Sequence, residues 1–421
     1  MKSKPNTTNY ELLRALTIKD AVGIGLGAII GAGIFVVTGV AAGIAGPAFI
    51  IGLIIAGIIA ALNGLSSAQL ARIYPQSGGT YEYGYRLLHP ALGFSAGWMF
   101  LISKLSAASI VAIGFGSYVY EFFPVFSPMI ISVIAVIVLT AANYFGVKKA
   151  GLLNLLIVSI TLLSLFYLII SGIPLIDMEH FKPFAPFGIA GIAESSALLF
   201  FAFTGYARIA TLAEEVQEPE KTIPRAIIIT IVSAIILYCA VSFIAISVIG
   251  SERMADSKSP LQALANNLTA PGIRAVTTIG ASTAMLGVLL SQILGISRMM
   301  LAMGRRNDLP IMMQKIHKNY RIPHSAIILS GFIIILLTIA GNFEFIIRAA
   351  SFTILMYYSI TNIAALVQPR EEQIYGRIVP ALGLAGCLSM SAFLPLSVIF
   401  TGISLLSVGF LIQFIFKRAK I

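Results

Sequence analysis

Apolar positions fill this chain in long blocks, and short stretches between the blocks hold nearly all of its charge. From Ala21 to Leu70 there is no charged residue. A transmembrane helix needs about 20 apolar residues, so this block predicts two crossings, with Ala45-Gly46-Pro47 as the turn between them. The same reading carried along the chain predicts twelve spans, at 20–43, 47–70, 92–119, 125–144, 152–173, 190–212, 226–249, 272–301, 323–341, 345–367, 377–393 and 395–416. The first twenty residues are polar and charged, with no apolar core ahead of the first span. They read as a cytoplasmic tail rather than a cleaved signal peptide.

Composition sharpens this picture. Of 421 residues, 58% are hydrophobic and only 11% charged, and the mean hydropathy of +0.94 is far above that of soluble domains. The net charge of +11 follows from topology. With both termini inside, most Lys and Arg residues fall in tails and loops of the cytoplasmic face, as the positive-inside rule requires, and no nucleic-acid partner is implied. Cys239 and Cys387 both lie in apolar helices. His89, His180, His317 and His324 are scattered without ligand spacing, and no phosphate-binding loop or acidic metal pair occurs. No metal, cofactor or enzymatic chemistry is expected.

Chemistry instead points to the glycines. The first span contains GLGAIIGAGIF, with Gly25, Gly27, Gly31 and Gly33 inside an apolar run. Close helix packing is one reading. An unwound segment is the other, because irregular backbone is tolerated in a bilayer only where it lines a cavity or is buried in protein. Five spans later FFAFTGY, Phe200 to Tyr206, places a threonine and a glycine in an aromatic cluster at mid-depth. Interrupted spans at corresponding positions of two halves mark a transporter site built from inverted repeats. The N-H groups at a half-helix start carry partial positive charge, and the carbonyls at a half-helix end carry partial negative charge. A zwitterion such as an α-amino acid fits both poles.

Four segments together resemble the amino acid-polyamine-organocation superfamily. They are GLGAIIGAGIF, Tyr74-Pro-Gln-Ser-Gly-Gly-Thr-Tyr81, the sixth-span FFAFTGY running into Ala213-Glu-Glu-Val-Gln-Glu-Pro-Glu-Lys-Thr-Ile-Pro-Arg225, and Ser297-Arg298 with Ala302-Met-Gly-Arg-Arg-Asn-Asp-Leu-Pro310. The resemblance covers roughly residues 18 to 370. It implies an all-α membrane protein with a five-plus-five inverted-repeat, leucine-transporter-like core and broken helices 1 and 6. Repeat 1 would span 20–173 and repeat 2 would span 190–367. Helices 11 and 12 (377–416) would follow, with short cytoplasmic tails at 1–19 and 417–421. It further implies secondary transport of amino acids or amines across the cell membrane. By motif position, the amides of Gly31, Ala32 and Gly33 would hold the substrate carboxylate. The carbonyls of Ile29, Phe201 and Thr204 would take the ammonium beside Gly205. Phe201 and Phe203 would act as aromatic gates, and Glu214 and Glu215 would latch the inner gate.

One position departs from the family. Many proton-coupled relatives carry a lysine in the fifth span, where this chain has Thr161. Coupling through that lysine is excluded. Thr161 offers a hydroxyl for sodium, although a threonine bonded back to its own helix is the commoner case. Lys104 is a second coupling candidate. It lies about a dozen residues into the third span, near the bilayer centre at 1.5 Å per residue, where a charge is costly unless it is paired or faces water. Glu194, at the outer end of the sixth span, is expected to be solvated.

No Asp or Glu lies at mid-depth in any span, so neutral L-amino acids are favoured over the alternative of cationic amino acids or polyamines. A transporter-like amino acid sensor is the competing class, yet tails of about twenty and five residues leave no room for a signalling domain. A channel would show polar or charged rings. Coupling by proton, sodium or exchange, and the oligomeric state, stay open; membrane lipid is the one other partner implied.

Overall fold

The computed structural model describes residues 16–74, 78–145, 150–210 and 216–419. They form sixteen α-helices: α1 Ile18–Ile29, α2 Thr38–Ala45, α3 Phe49–Ile73, α4 Thr80–Leu87, α5 Pro90–Phe122, α6 Pro128–Phe145, α7 Ala150–Gly172, α8 Gly188–Phe200, α9 Ala207–Ala210, α10 Pro219–Ala255, α11 Pro260–Asn266, α12 Ile273–Arg305, α13 His324–Ala340, α14 Phe343–Val367, α15 Ile378–Ala392 and α16 Leu396–Ala419. Among the described residues, nine segments are long and apolar enough to cross a membrane. The first, Ile18–Ile73, is 56 residues long and contains α1, α2 and α3. Two shorter apolar helices, α13 and α15, accompany the nine.

Local signals set the ends of these helices. Thr17 caps α1 in a reciprocal box with Asp20, satisfying amides that the helix leaves open. Gly46 ends α2 at φ 59°, a conformation that glycine adopts without the Cβ penalty. Proline at the first turn opens α5, α10 and α11, where its missing N-H costs nothing. Ahead of α1, Leu16 pairs with Val216 in an isolated bridge, with the Gln217 N-H donating to the Leu16 carbonyl at 2.9 Å.

Helix α5 runs through the centre, packed on α12 and α14. Small residues on it, including Gly93, Ala96, Ala107, Ala108 and Gly114, are buried and let neighbours approach closely. The outward faces of α6 and α13 are apolar, with Ile130, Ile134, Ile137, Ile328, Phe332 and Leu336 exposed. Apolar faces of this kind suit a lipid solvent.

Candidate functional site

The first span breaks where its glycines cluster. After Ile29, Ile30 turns extended at φ −77° and ψ 107°, and the chain resumes as a π-helical turn, Gly33–Val37, leading into α2. The amides of Gly31, Ala32 and Gly33 sit at the start of this second half, where a helix leaves its first N-H groups without intrahelical partners. The glycines also serve packing. A Cβ on Gly25 would meet Ile209, one on Gly27 would meet Val158 and Asn154, and one on Gly31 would meet Val288. Both readings of the motif therefore hold at once.

The sixth span differs from expectation in kind. Its α-helix stops at Phe200, and Phe201–Tyr206 winds as a 3-10 helix before α9. The ladder is tightened rather than opened, because i→i+3 bonds keep most backbone groups paired. This segment lies directly against the break. A Cβ on Gly33 would fall 2.6 Å from the Ala202 Cα, and one on Gly205 would collide with the Ala28 carbonyl.

Two tyrosines absent from the sequence reading fix the freed carbonyls. The Tyr238 hydroxyl of α10 donates to the Ile29 carbonyl at 2.9 Å and lies 3.5 Å from the Ala202 carbonyl. Tyr118 of α5 donates to the Phe35 carbonyl at 2.6 Å while its oxygen accepts the Leu261 N-H of α11 at 3.2 Å. Each is one aromatic residue in an apolar helix and carries no local signal in the sequence.

Lys104 and Thr204 come together. The Lys104 ammonium donates to Thr204 Oγ1 at 3.5 Å, and that hydroxyl donates to the Phe201 carbonyl at 3.0 Å. The ammonium also stands 5.8 Å from the centre of the Phe100 ring. None of the ion pairs among the described residues includes Lys104. Ile29, Gly31, Ala32, Gly33, Phe201, Thr204 and Gly205 thus share one region with Lys104. Phe203 is fully buried, 5.4 Å from the Tyr238 ring centre and beside Gly57. Thr161 lies on α7 and donates to the Ile157 carbonyl of its own helix at 2.8 Å, with the Gly280 carbonyl of α12 at 3.4 Å. Glu214 and Glu215 lie outside the described residues.

Charged groups cluster toward the two ends of the bundle. Glu194 is not simply solvated: it pairs with Arg348 of α14 at 3.2 Å, and Arg348 also reaches Glu344 at 3.3 Å. At the opposite end Asp308 is fully buried. It accepts from Tyr81 at 2.7 Å, Tyr85 at 2.6 Å and Gln413 at 2.6 Å, with Lys417 at 3.2 Å. Burial first, then the neighbouring Asp308 carboxylate, pushes both tyrosine hydroxyls well above their ordinary range. Arg306 grips Glu82 through two nitrogens, at 3.2 and 2.5 Å, and stands over the Tyr85 ring at 4.6 Å. Among the described residues no group of His, Cys, Asp and Glu is arranged to hold a metal.

Residues 20–420 match the family model described as amino acid permease. An uncharacterised transporter of Mycobacterium tuberculosis is 38% identical, covering 96% of this chain and 92% of the relative. The methylthioribose transporter of Bacillus subtilis is 30% identical, with 97% and 94% covered. The branched-chain amino acid permease of the same bacterium is 27% identical over the same shares.

Proposed function

The chain belongs to the amino acid permease family, and from that premise we propose that it carries neutral L-amino acids across the cell membrane by alternating access. The observation that carries this reading is the break at Ile30 beside the 3-10 segment, which brings a half-helix start and freed carbonyls together. Gly31, Ala32 and Gly33 would offer N-H groups to the substrate carboxylate. Ile29, Phe201 and Thr204 would offer carbonyls to its ammonium. The Ile29 and Phe201 carbonyls already accept from Tyr238 and Thr204, and each oxygen keeps a second lone pair. Phe201 would close over the ligand, with Phe203 moving only as Tyr238 moves.

Within this reading the first long segment counts as two crossings at Gly46, and α13 and α15 complete the expected twelve. Helices 1–5 and 6–10 would be the inverted repeats, with both termini in the cytoplasm. Lys104 would meet the substrate or the coupling ion through Thr204. Thr161, bonded back to its own helix, is the weaker ion candidate. Glu214 and Glu215 would latch the inner gate.

Charge supports a neutral side chain. Among the described residues no Asp or Glu lies at mid-depth in a core span, and Glu194, near the outer end of the sixth, is held by Arg348, so this lining offers no carboxylate to a guanidinium or polyamine. The branched-chain amino acid permease among the relatives agrees with that choice, whereas another relative is a methylthioribose transporter. Uptake of labelled leucine, alanine, arginine and methylthioribose into proteoliposomes, under imposed pH and sodium gradients, tests the reading. Saturable, stereoselective flux of a neutral amino acid is expected. Binding without flux supports a sensor instead, and ohmic current a channel.

A further inference from the structure

The turn between α12 and α13 holds a cleft that the transport reading does not use. It has a volume of about 620 Å³ and is lined by Lys315, Ile316, His317, Lys318, Asn319 and His324. No carboxylate lines it. The nearest acid along the chain, Asp308, is committed to Tyr81, Tyr85, Gln413 and Lys417. The loop is built rather than loose. His317 donates its N-H to the Ile322 carbonyl at 2.8 Å, and its own carbonyl accepts from Arg321 at 3.0 Å. Its Nδ1 accepts the amides of Asn319 and Tyr320, both at 3.3 Å, so the ring proton sits on Nε2, leaving a donor. The His324 ring lies 5.7 Å away, and its Nδ1 is buried with no partner among the described residues. Buried polar atoms left unpaired are uncommon and call for a ligand or water.

We propose that this cleft binds the phosphate headgroup of an anionic glycerophospholipid. Two ammonium groups and two imidazoles offer positive charge and N-H donors to the anionic oxygens of a phosphate diester. A lipid is favoured over free phosphate by what adjoins the cleft. One turn beyond His324, α13 presents an exposed apolar stripe, Ile328, Phe332 and Leu336, spaced by four residues and therefore on one helical face. Acyl chains laid on that stripe would put their phosphate at Lys315 and Lys318. Ile316 of the lining is exposed, as is Tyr320, whose ring lies 4.9 Å from that of His317, and tyrosine favours the headgroup region of a membrane.

The test uses full-length protein in nanodiscs of phosphatidylcholine with a minor fraction of phosphatidylglycerol, followed by native mass spectrometry of lipid retained after mild delipidation. The wild type is expected to keep phosphatidylglycerol in preference to phosphatidylcholine. A Lys315→Gln/Lys318→Gln double variant is expected to lose that preference by roughly thirtyfold, about fivefold for each basic side chain at an anionic surface. Lys315→Arg/Lys318→Arg is expected to retain it. Both lysines are exposed, so neither exchange threatens the fold, and the wild-type preference is read without any variant. Equal retention of the two lipids by the wild type, or no difference between wild type and the glutamine variant, overturns the proposal. Binding of inorganic phosphate by the wild type that the glutamine variant loses, with phosphatidylglycerol retention the same in both, overturns it too, by assigning the cleft to a free anion. Lipid retention is read independently of amino acid flux, so it stands or falls apart from the transport reading.

Discussion

Replacing Gly33 by alanine adds one methyl at the contact between the broken first span and the 3-10 segment. The new Cβ would lie 2.5 Å from the Ala202 Cβ and 2.6 Å from the Ala202 Cα, whereas carbon atoms rest about 3.5 to 4.0 Å apart. The segments must part by about 1 Å, and backbone is on one side of the clash, so no rotamer change relieves it. Overpacking of this kind costs about 1 to 3 kcal/mol. If the amides and carbonyls of the two segments hold one substrate between them, a separation of that size should cut transport about fivefold or more, since 1 kcal/mol is a factor of about five. Gly23→Ala is the matched control on the same span. Nothing lies within 4 Å of its Cβ position, and alanine in a helix is worth up to about 1 kcal/mol over glycine. Initial rates of amino acid uptake and thermal melting of the purified variants decide the matter together. Full-rate uptake by Gly33→Ala would refute the reasoning, as would an equal loss in Gly23→Ala.

Three other substitutions probe separate parts of the account. Lys104→Met removes the donor to Thr204 at 3.5 Å; loss of a hydrogen bond worth about 1 kcal/mol predicts a roughly fivefold fall in uptake with an altered pH profile, and an unchanged rate and profile count against Lys104 as a working residue. Asp308→Ala leaves the hydroxyls of Tyr81 and Tyr85 and the Gln413 amide without their acceptor. The cost is about 3 to 5 kcal/mol in unfolding by sodium dodecyl sulfate in mixed micelles, and a loss below about 1 kcal/mol contradicts the network. Thr161→Val deletes a hydroxyl bonded to the Ile157 carbonyl, so uptake in a sodium gradient should match the wild type; selective loss of sodium stimulation would restore Thr161 as an ion ligand.

The helical membrane architecture was legible because periodicity is not needed to find it: unbroken apolar runs such as Ala21–Leu70 identify crossings by length alone. The break in the first span was legible through its glycines, since only a residue without Cβ lets Gly31 meet Val288 and Gly33 meet Ala202. In the sixth span the location of the irregularity was legible but its form was not. One glycine and one threonine fit an open break or a tighter winding, and tertiary contact with Ala28 goes with the second. Tyr118, Tyr238, Asp308 and the Glu194–Arg348 pair were hidden for a different reason. Their partners lie from 83 to 227 residues away along the chain, and nothing local marks a hydroxyl or carboxylate that finds its partner only after the bundle closes. Lys104 was conspicuous as a charge at depth; that its partner would be the Thr204 hydroxyl was not.

The most direct test of the central claim is a density map of the protein with a bound neutral amino acid. The account predicts ligand density at the break, with the carboxylate within hydrogen-bond distance of the Gly31–Gly33 amides and the ammonium facing the Ile29 and Phe201 carbonyls. A ligand seated away from these groups, or a first span that runs as an unbroken α-helix through Ile30, contradicts it.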